Sequence, residues 1–126
     1  MGLITVKISL ANPKRPDIQP VEADALVDTG ALHLVIPEHV RLQLALDQTG
    51  TKEIELADGS HRLIPYVGPI EARFKNRVAF VGAVVMGDEV LLGAIPMEDM
   101  DLILIPSQRL ADVNPRSPNF ASAKVK

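Results

Sequence analysis

From Leu3 to Leu10 apolar and polar residues alternate, with Ile4, Val6, Ile8 and Leu10 on one side, the period of a strand with one buried face. Asn12-Pro13 and Arg15-Pro16 break the pattern. Val21 to Asp28 restarts it, close enough in sequence to pair with the first strand as a hairpin across the proline-rich loop. Leu32 to Ile36 predicts a short strand. Pro37 and Glu38 then read as the first turn of a helix running to Leu46, because proline is preorganised for the first helical position.

In the second half, Lys52 to Ala57 alternates Ile54 and Leu56 against Glu53 and Glu55, and Asp58-Gly59 is a strong hairpin-turn signal. Ser60 to Val67 is the expected returning strand, ended by Gly68-Pro69. Ile70 to Phe74 predicts a further strand, and Lys75-Asn76-Arg77 turns into Val78 to Met86, apolar on both faces for most of its length and so expected at the centre of the sheet. Gly87-Asp88-Glu89 reads as a loop, Val90-Leu91-Leu92-Gly93 as a second apolar run ending in glycine, and Ile95 to Met100 as one or two helical turns. Leu102 to Ile105 and Arg109 to Val113 predict two strands around Pro106-Ser107-Gln108. No internal repeat is visible. The chain is therefore expected to be mostly β, with one or two short helices.

Composition narrows the function classes. The 126 residues, 47% of them hydrophobic, suffice for one core, expected over residues 1–113, with Asn114-Pro115 and Ser117-Pro118 marking an extended C-terminal tail over 114–126. Aromatics are scarce, so the core must be built of Val, Ile, Leu and Met, which favours short β-branched strands. A net charge of −3 with scattered basic residues leaves no electrostatic footprint for nucleic acid. The absence of cysteine removes disulfide frameworks, thiolate catalysis and zinc–thiolate sites. His33 and His39 have no third ligand at metal spacing and are expected at the surface or lining a groove, with no metal or cofactor. Met1 to Leu10 lacks the apolar run of a secretory signal, and no segment approaches the about 18 consecutive apolar residues of a membrane span. A cytoplasmic protein without a membrane partner is expected.

One stretch stands apart. Ala25-Leu26-Val27-Asp28-Thr29-Gly30-Ala31 delivers a carboxylate and a hydroxyl into a glycine turn between two apolar segments. Polar turns end most strands, so Asp-Thr-Gly has a plain reading as punctuation. An acid between two buried segments, however, is exposed only where the turn opens into a cleft. A second apolar-strand-to-glycine element, Leu91-Leu92-Gly93, follows with its glycine 63 positions after Gly30, and the Asp58-Gly59 hairpin lies between them.

This arrangement resembles the retropepsin-like (clan AA) aspartic proteases, which include retroviral enzymes and bacterial relatives of the same single-domain design. In element order the resemblance covers Leu3 to Val113; locally it is strongest at Leu26 to Ala31 and at Leu91 to Gly93. It implies a closed β-barrel of the acid-protease fold, Asp28 as the catalytic carboxylate and Thr29 as the hydroxyl that ties two active-site loops together. Gly30 and Ala31 complete that loop, and Leu91, Leu92 and Gly93 support it from beneath. Ala57, Asp58, Gly59 and Ser60 take the place of the flap that closes over substrate. The helix after Pro37 is longer than in retroviral members and closer to the bacterial and eukaryotic relatives. Two features depart from the family pattern: Ala94 stands where retroviral members usually carry an arginine, and the hairpin tip has neither a glycine-rich run nor an aromatic.

The chemistry adds a constraint. Peptide hydrolysis without a metal or covalent intermediate takes one ionised carboxylate to accept a proton from water and one protonated carboxyl to donate to the substrate carbonyl. Two carboxylates about 3 Å apart cannot both ionise and so share one proton. With a single Asp-Thr-Gly in the chain, the second carboxylate is expected from a twofold-related copy, so the partners implied are a second copy of the chain and a peptide. The first reading is thus a homodimeric aspartic endopeptidase. A slow or inactive dimer that binds peptides or serves as a scaffold is the second. A third is an unrelated β-barrel in which Asp28 merely closes a turn.

Overall fold

The structure, a computed structural model, describes residues 3–125. Strand β1 (Thr5–Ala11) pairs antiparallel with β2 (Val21–Val27), Thr5 opposite Leu26 and Leu10 opposite Val21. The end of β2 runs parallel to β7 (Leu91–Leu92), which lies antiparallel to β3 (Leu34–Ile36). β3 runs parallel to β6 (Arg77–Val85), and β6 pairs antiparallel with β5 (His61–Phe74). β5 returns to β1 through Glu71–Arg73 against Ser9–Ala11. Six strands thereby close a mixed barrel, and a closed barrel leaves no ladder edge to be paired by another chain. β4 (Gln48–Glu55) stands outside the ring, paired with β5 alone.

The period-two pattern of the first strand is carried into the structure: Val6, Ile8 and Leu10 are buried while Thr5 and Lys7 are exposed. They meet Leu34, Ile36, Ile70, Leu92 and Met100 in the barrel interior. A smaller second cluster, Val35, Ile64 and Val84 with Ile54, Tyr66, Met86 and Leu91 against it, sits beneath the β4–β5 hairpin and holds that hairpin over the barrel. As expected, β6 lies inside the ring, between β3 and β5.

Three local expectations are corrected. β5 does not end at Gly68-Pro69; it continues to Phe74 as one bent strand. A register shift between Val67 and Ile70 marks a bulge, where an extra residue escapes the ladder and a proline needs no N–H to donate. Gly68 sits there at φ +151°, where a Cβ would also press on the Gly82 backbone at 3.3 Å. β4 begins at Gln48 rather than Lys52, its first residues being polar and carrying no apolar period.

The third correction concerns helix α1 (Glu38–Gln43), which stops short of Leu46. Ala45 adopts the left-handed conformation at φ 53°, and two reversed bonds close the end: Ala45 N–H to the Leu42 carbonyl and Leu46 N–H to the Arg41 carbonyl, both 3.1 Å. This is a Schellman ending with alanine where glycine is usual, so no glycine in the sequence announced it. The burial of Leu44 and Leu46 on either side pins the reversal. Asn12, buried in the β1–β2 loop, donates from Nδ2 to the Leu44 carbonyl at 2.9 Å and to that of Ala45 at 3.2 Å, satisfying acceptors that the helix leaves open.

After β7 come α2 (Ala94–Asp99), β8 (Leu102–Ile105), a 3₁₀ turn (Pro106–Gln108) and β9 (Leu110–Val113), the last two strands forming a separate hairpin. The segment after Asn114 is fastened to the domain. The Asp101 carboxylate accepts from the Ser117 hydroxyl, the Asn114 amide and the Ser122 backbone N–H, and these bonds hold it well below the ordinary aspartate value, at about 2. Buried Arg77 donates to the Ser117 carbonyl, and Asn76 to that of Pro118. Among the described residues no helix is long and apolar enough to cross a membrane.

Candidate active site

The β2 strand carries Asp28 directly off its end, and the neighbouring β7 fixes where it lands. Leu26 N–H donates to the Val90 carbonyl at 2.9 Å and Asp28 N–H to that of Leu92 at 3.0 Å. The turn closes on itself: Ala31 N–H bonds the Asp28 carbonyl at 3.1 Å, and Gly30 N–H donates to Asp28 Oδ1 at 3.0 Å. The carboxylate therefore has a fixed orientation, with a backbone donor on one oxygen. A Cβ at Gly30 would stand 3.2 Å from that oxygen and press on the carboxylate.

Gly93 locks the loop from the other side. A Cβ there would overlap the His33 carbonyl and lie 2.7 Å from the Ala31 carbonyl oxygen and 2.9 Å from Leu32 C. That close approach lets Ala94 N–H reach the Ala31 carbonyl and Ile95 N–H that of Leu32, each at 2.8 Å. Of the residues singled out from sequence, Asp28, Thr29, Gly30 and Ala31 form one turn, and Leu91, Leu92 and Gly93 lie against its backbone.

The turn opens into a groove of about 950 Å³. Asp28, Gly30 and Ala31 form one wall, Lys52 to Ala57 of the hairpin the opposite one, and Val35, Val84, Met86 and Leu91 line it between. Asp28 is partly buried; Thr29 and Gly30 are exposed. Along β4, Lys52, Ile54 and Leu56 turn inward while Glu53 and Glu55 turn outward, as a strand requires. The hairpin tip is ordered by its own chemistry: Gly59 sits at φ 86°, and Asp58 Oδ1 accepts from Ser60 N–H at 2.9 Å and Ser60 Oγ at 2.6 Å. The Ser60 bonds push the Asp58 carboxyl below its usual range. Ala57 lines the groove, whereas Asp58, Gly59 and Ser60 form the exposed tip beyond it.

Sequence reasoning passed over a cluster at the groove wall. His33 lies against Tyr66, ring centroids 5.5 Å apart at 59°, and Lys52 Nζ stands 4.7 Å from the centre of the same ring. Burial, and then the Lys52 charge, lower the His33 pKa. The Tyr66 ring fills the space that a Cβ at Gly82 would need. Lysine alone reads as solvated, but the period of the strand already sets Lys52 on the face of Ile54 and Leu56; what only the tertiary fold adds is the Tyr66 ring beneath it. Among the described residues no group of three His, Asp or Glu is placed to hold a metal ion.

Chemically, the site offers one oriented carboxylate in an open groove of mixed polar and apolar lining. No protein-family model and no curated protein sequence matches the chain.

Proposed function

We propose that this protein is a retropepsin-like aspartic endopeptidase, acting as a symmetric homodimer with Asp28 of both copies in one site. The observation that carries the reading is the joined pair of glycine elements: the Asp28 loop hydrogen-bonded onto Leu91-Leu92-Gly93 and opening beneath an overhanging hairpin. An isolated turn would need neither the lock nor the groove.

In this mechanism an extended peptide lies along the groove beneath both hairpins. The ionised Asp28 carboxylate takes a proton from water as its oxygen attacks the scissile carbonyl carbon. The protonated Asp28 of the other copy gives its proton to the carbonyl oxygen, forming a neutral gem-diol. Collapse returns that proton to a carboxylate and delivers the other to the leaving amine, so the dyad ends with the one proton it began with. The Gly30 N–H holds each carboxylate in register for these transfers.

The test is cleavage of a peptide library by wild type and Asp28→Asn between pH 4 and 7, with cut sites read by mass spectrometry. The proposal expects cleavage favoured in mild acid and a loss of at least about 10³-fold in the variant, the scale on which an acid–base group acts. Cleavage unaffected by Asp28→Asn would refute the assignment. A folded dimer that retains library peptides without cutting them would instead be a peptide-binding module.

A further inference from the structure

The His33–Tyr66–Lys52 cluster does no work in the mechanism above, yet His33 and Lys52 line the same groove as Asp28. Lys52 is the anomaly. It occupies an inward position of β4, in line with Ile54 and Leu56, where the hairpin's underside is otherwise apolar. Charged side chains belong on the outward face of such a strand, as Glu53 and Glu55 show, and an inward lysine gives up hydration.

Among the described residues no anion is paired with it. Among the described residues Lys52 has no carboxylate within 4.0 Å, as several exposed basic residues also have none, but Lys52 is the one of them that lines the groove on the inward face of the hairpin. The nearest acid in sequence, Glu53, lies on the exposed face of the strand, its carboxylate 3.0 Å from His61 Nδ1. The ammonium instead rests on the Tyr66 ring, a contact that fixes the direction of the side chain while leaving its N–H donors free. Tyr66 is itself held over Gly82 and braced by His33. The result is a positioned cation beside an imidazole, both facing the groove.

We propose that Lys52 and His33 form a subsite for a carboxylate of the bound peptide, so that peptides carrying an acidic group at a fixed distance from the scissile bond are selected. This deepens the peptidase reading and rests on the same groove holding a peptide. The ammonium supplies a charge-assisted bond, and the His33 ring a second N–H donor; Ile54, Val84 and Met86 nearby accept apolar neighbours. The carboxylate is either an internal Asp or Glu side chain or the free end of the chain, and its chemistry is the same in both.

The test uses the full-length protein and peptide pairs that differ only by Glu against Gln at each position, made with free and with amidated C-termini. Cleavage is read as kcat/KM for wild type, Lys52→Gln, Lys52→Arg and His33→Gln, each first checked for folding by circular dichroism. The expected result is a Glu-over-Gln preference of about tenfold at one position, weakened by salt, abolished by Lys52→Gln and restored by Lys52→Arg. A preference that follows the free C-terminus rather than a side chain identifies the terminal carboxylate as the group bound. Equal rates for Glu and Gln peptides at every position and for both terminal forms overturn the proposal, as does a preference unchanged in Lys52→Gln. If wild type cuts nothing, the same pairs are compared by retention on immobilised Asp28→Asn protein. Selective retention of the acidic peptides then upholds the subsite while the peptidase reading fails, and unselective or absent retention overturns both.

Discussion

Gly93→Ala should damage the protein more than any other glycine replacement that adds a single carbon. The new Cβ would meet three backbone atoms of the segment after the Asp28 turn, two of them at 2.7 and 2.9 Å and the third closer still. Ordinary contact begins near 3.4 Å, so the Ala31–His33 backbone and the start of α2 must separate by about 1 Å to relieve the closest of the three. None of these atoms belongs to a side chain that can rotate away. Separation stretches two hydrogen bonds now at 2.8 Å, Ala94 N–H to Ala31 and Ile95 N–H to Leu32. Overpacking costs about 1–3 kcal/mol, and weakening two backbone bonds adds about 1–2 kcal/mol. The expected destabilisation is about 2–5 kcal/mol, or roughly 8–20 °C in Tm for a domain of this size. Urea unfolding followed by circular dichroism measures it. The control is Gly50→Ala, where a Cβ meets nothing within 4 Å; it should not destabilise the protein and should raise stability by at most about 1 kcal/mol. A Gly93→Ala variant within about 1 kcal/mol of wild type would refute the reasoning that backbone proximity requires glycine here.

Ala45→Gly should have the opposite sign, raising stability by about 0.5–1 kcal/mol in the same urea assay, because glycine adopts the left-handed Schellman position without strain. Destabilisation would show that the alanine methyl contributes more than its backbone costs. The Asp101 clasp on the tail should be pH-dependent. Its folded-state value of about 2 lies below the 3.8 of an unconstrained aspartate, so its contribution is complete above about pH 4 and is lost as pH falls through about 2. The Ser122 amide proton should shift in NMR spectra over that acid range in wild type and not in Asp101→Asn. A Ser122 resonance insensitive to both changes would mean that the clasp does not form.

How much of this could be read from residues alone follows from which forces are local. Alternation in Ile4 to Leu10 and in Glu53 to Leu56 reports burial directly, and the structure keeps both patterns. The glycine elements at Gly30 and Gly93 were legible as motifs, but their contact through the Ala31 and Leu32 carbonyls is a tertiary fact. Gly68-Pro69 misled because proline ends most strands, whereas here a bulge takes it out of the ladder. The early stop of α1 was hidden by an alanine doing the work of glycine, with Asn12 completing the cap from 32 positions away. Lys52 shows the sharpest limit. Alternation places it on the face of Ile54 and Leu56, but the Tyr66 ring under its ammonium and His33 beside that ring are tertiary facts.

The claim that two copies of Asp28 make one site is tested most directly by mixing. Wild type is combined with increasing fractions of Asp28→Asn protein, the chains are allowed to exchange, and cleavage is followed at constant total protein. A shared dyad predicts that activity falls with the square of the wild-type fraction, because every mixed dimer lacks one carboxylate. A fall in simple proportion to that fraction would mean that each chain acts alone and would contradict the account.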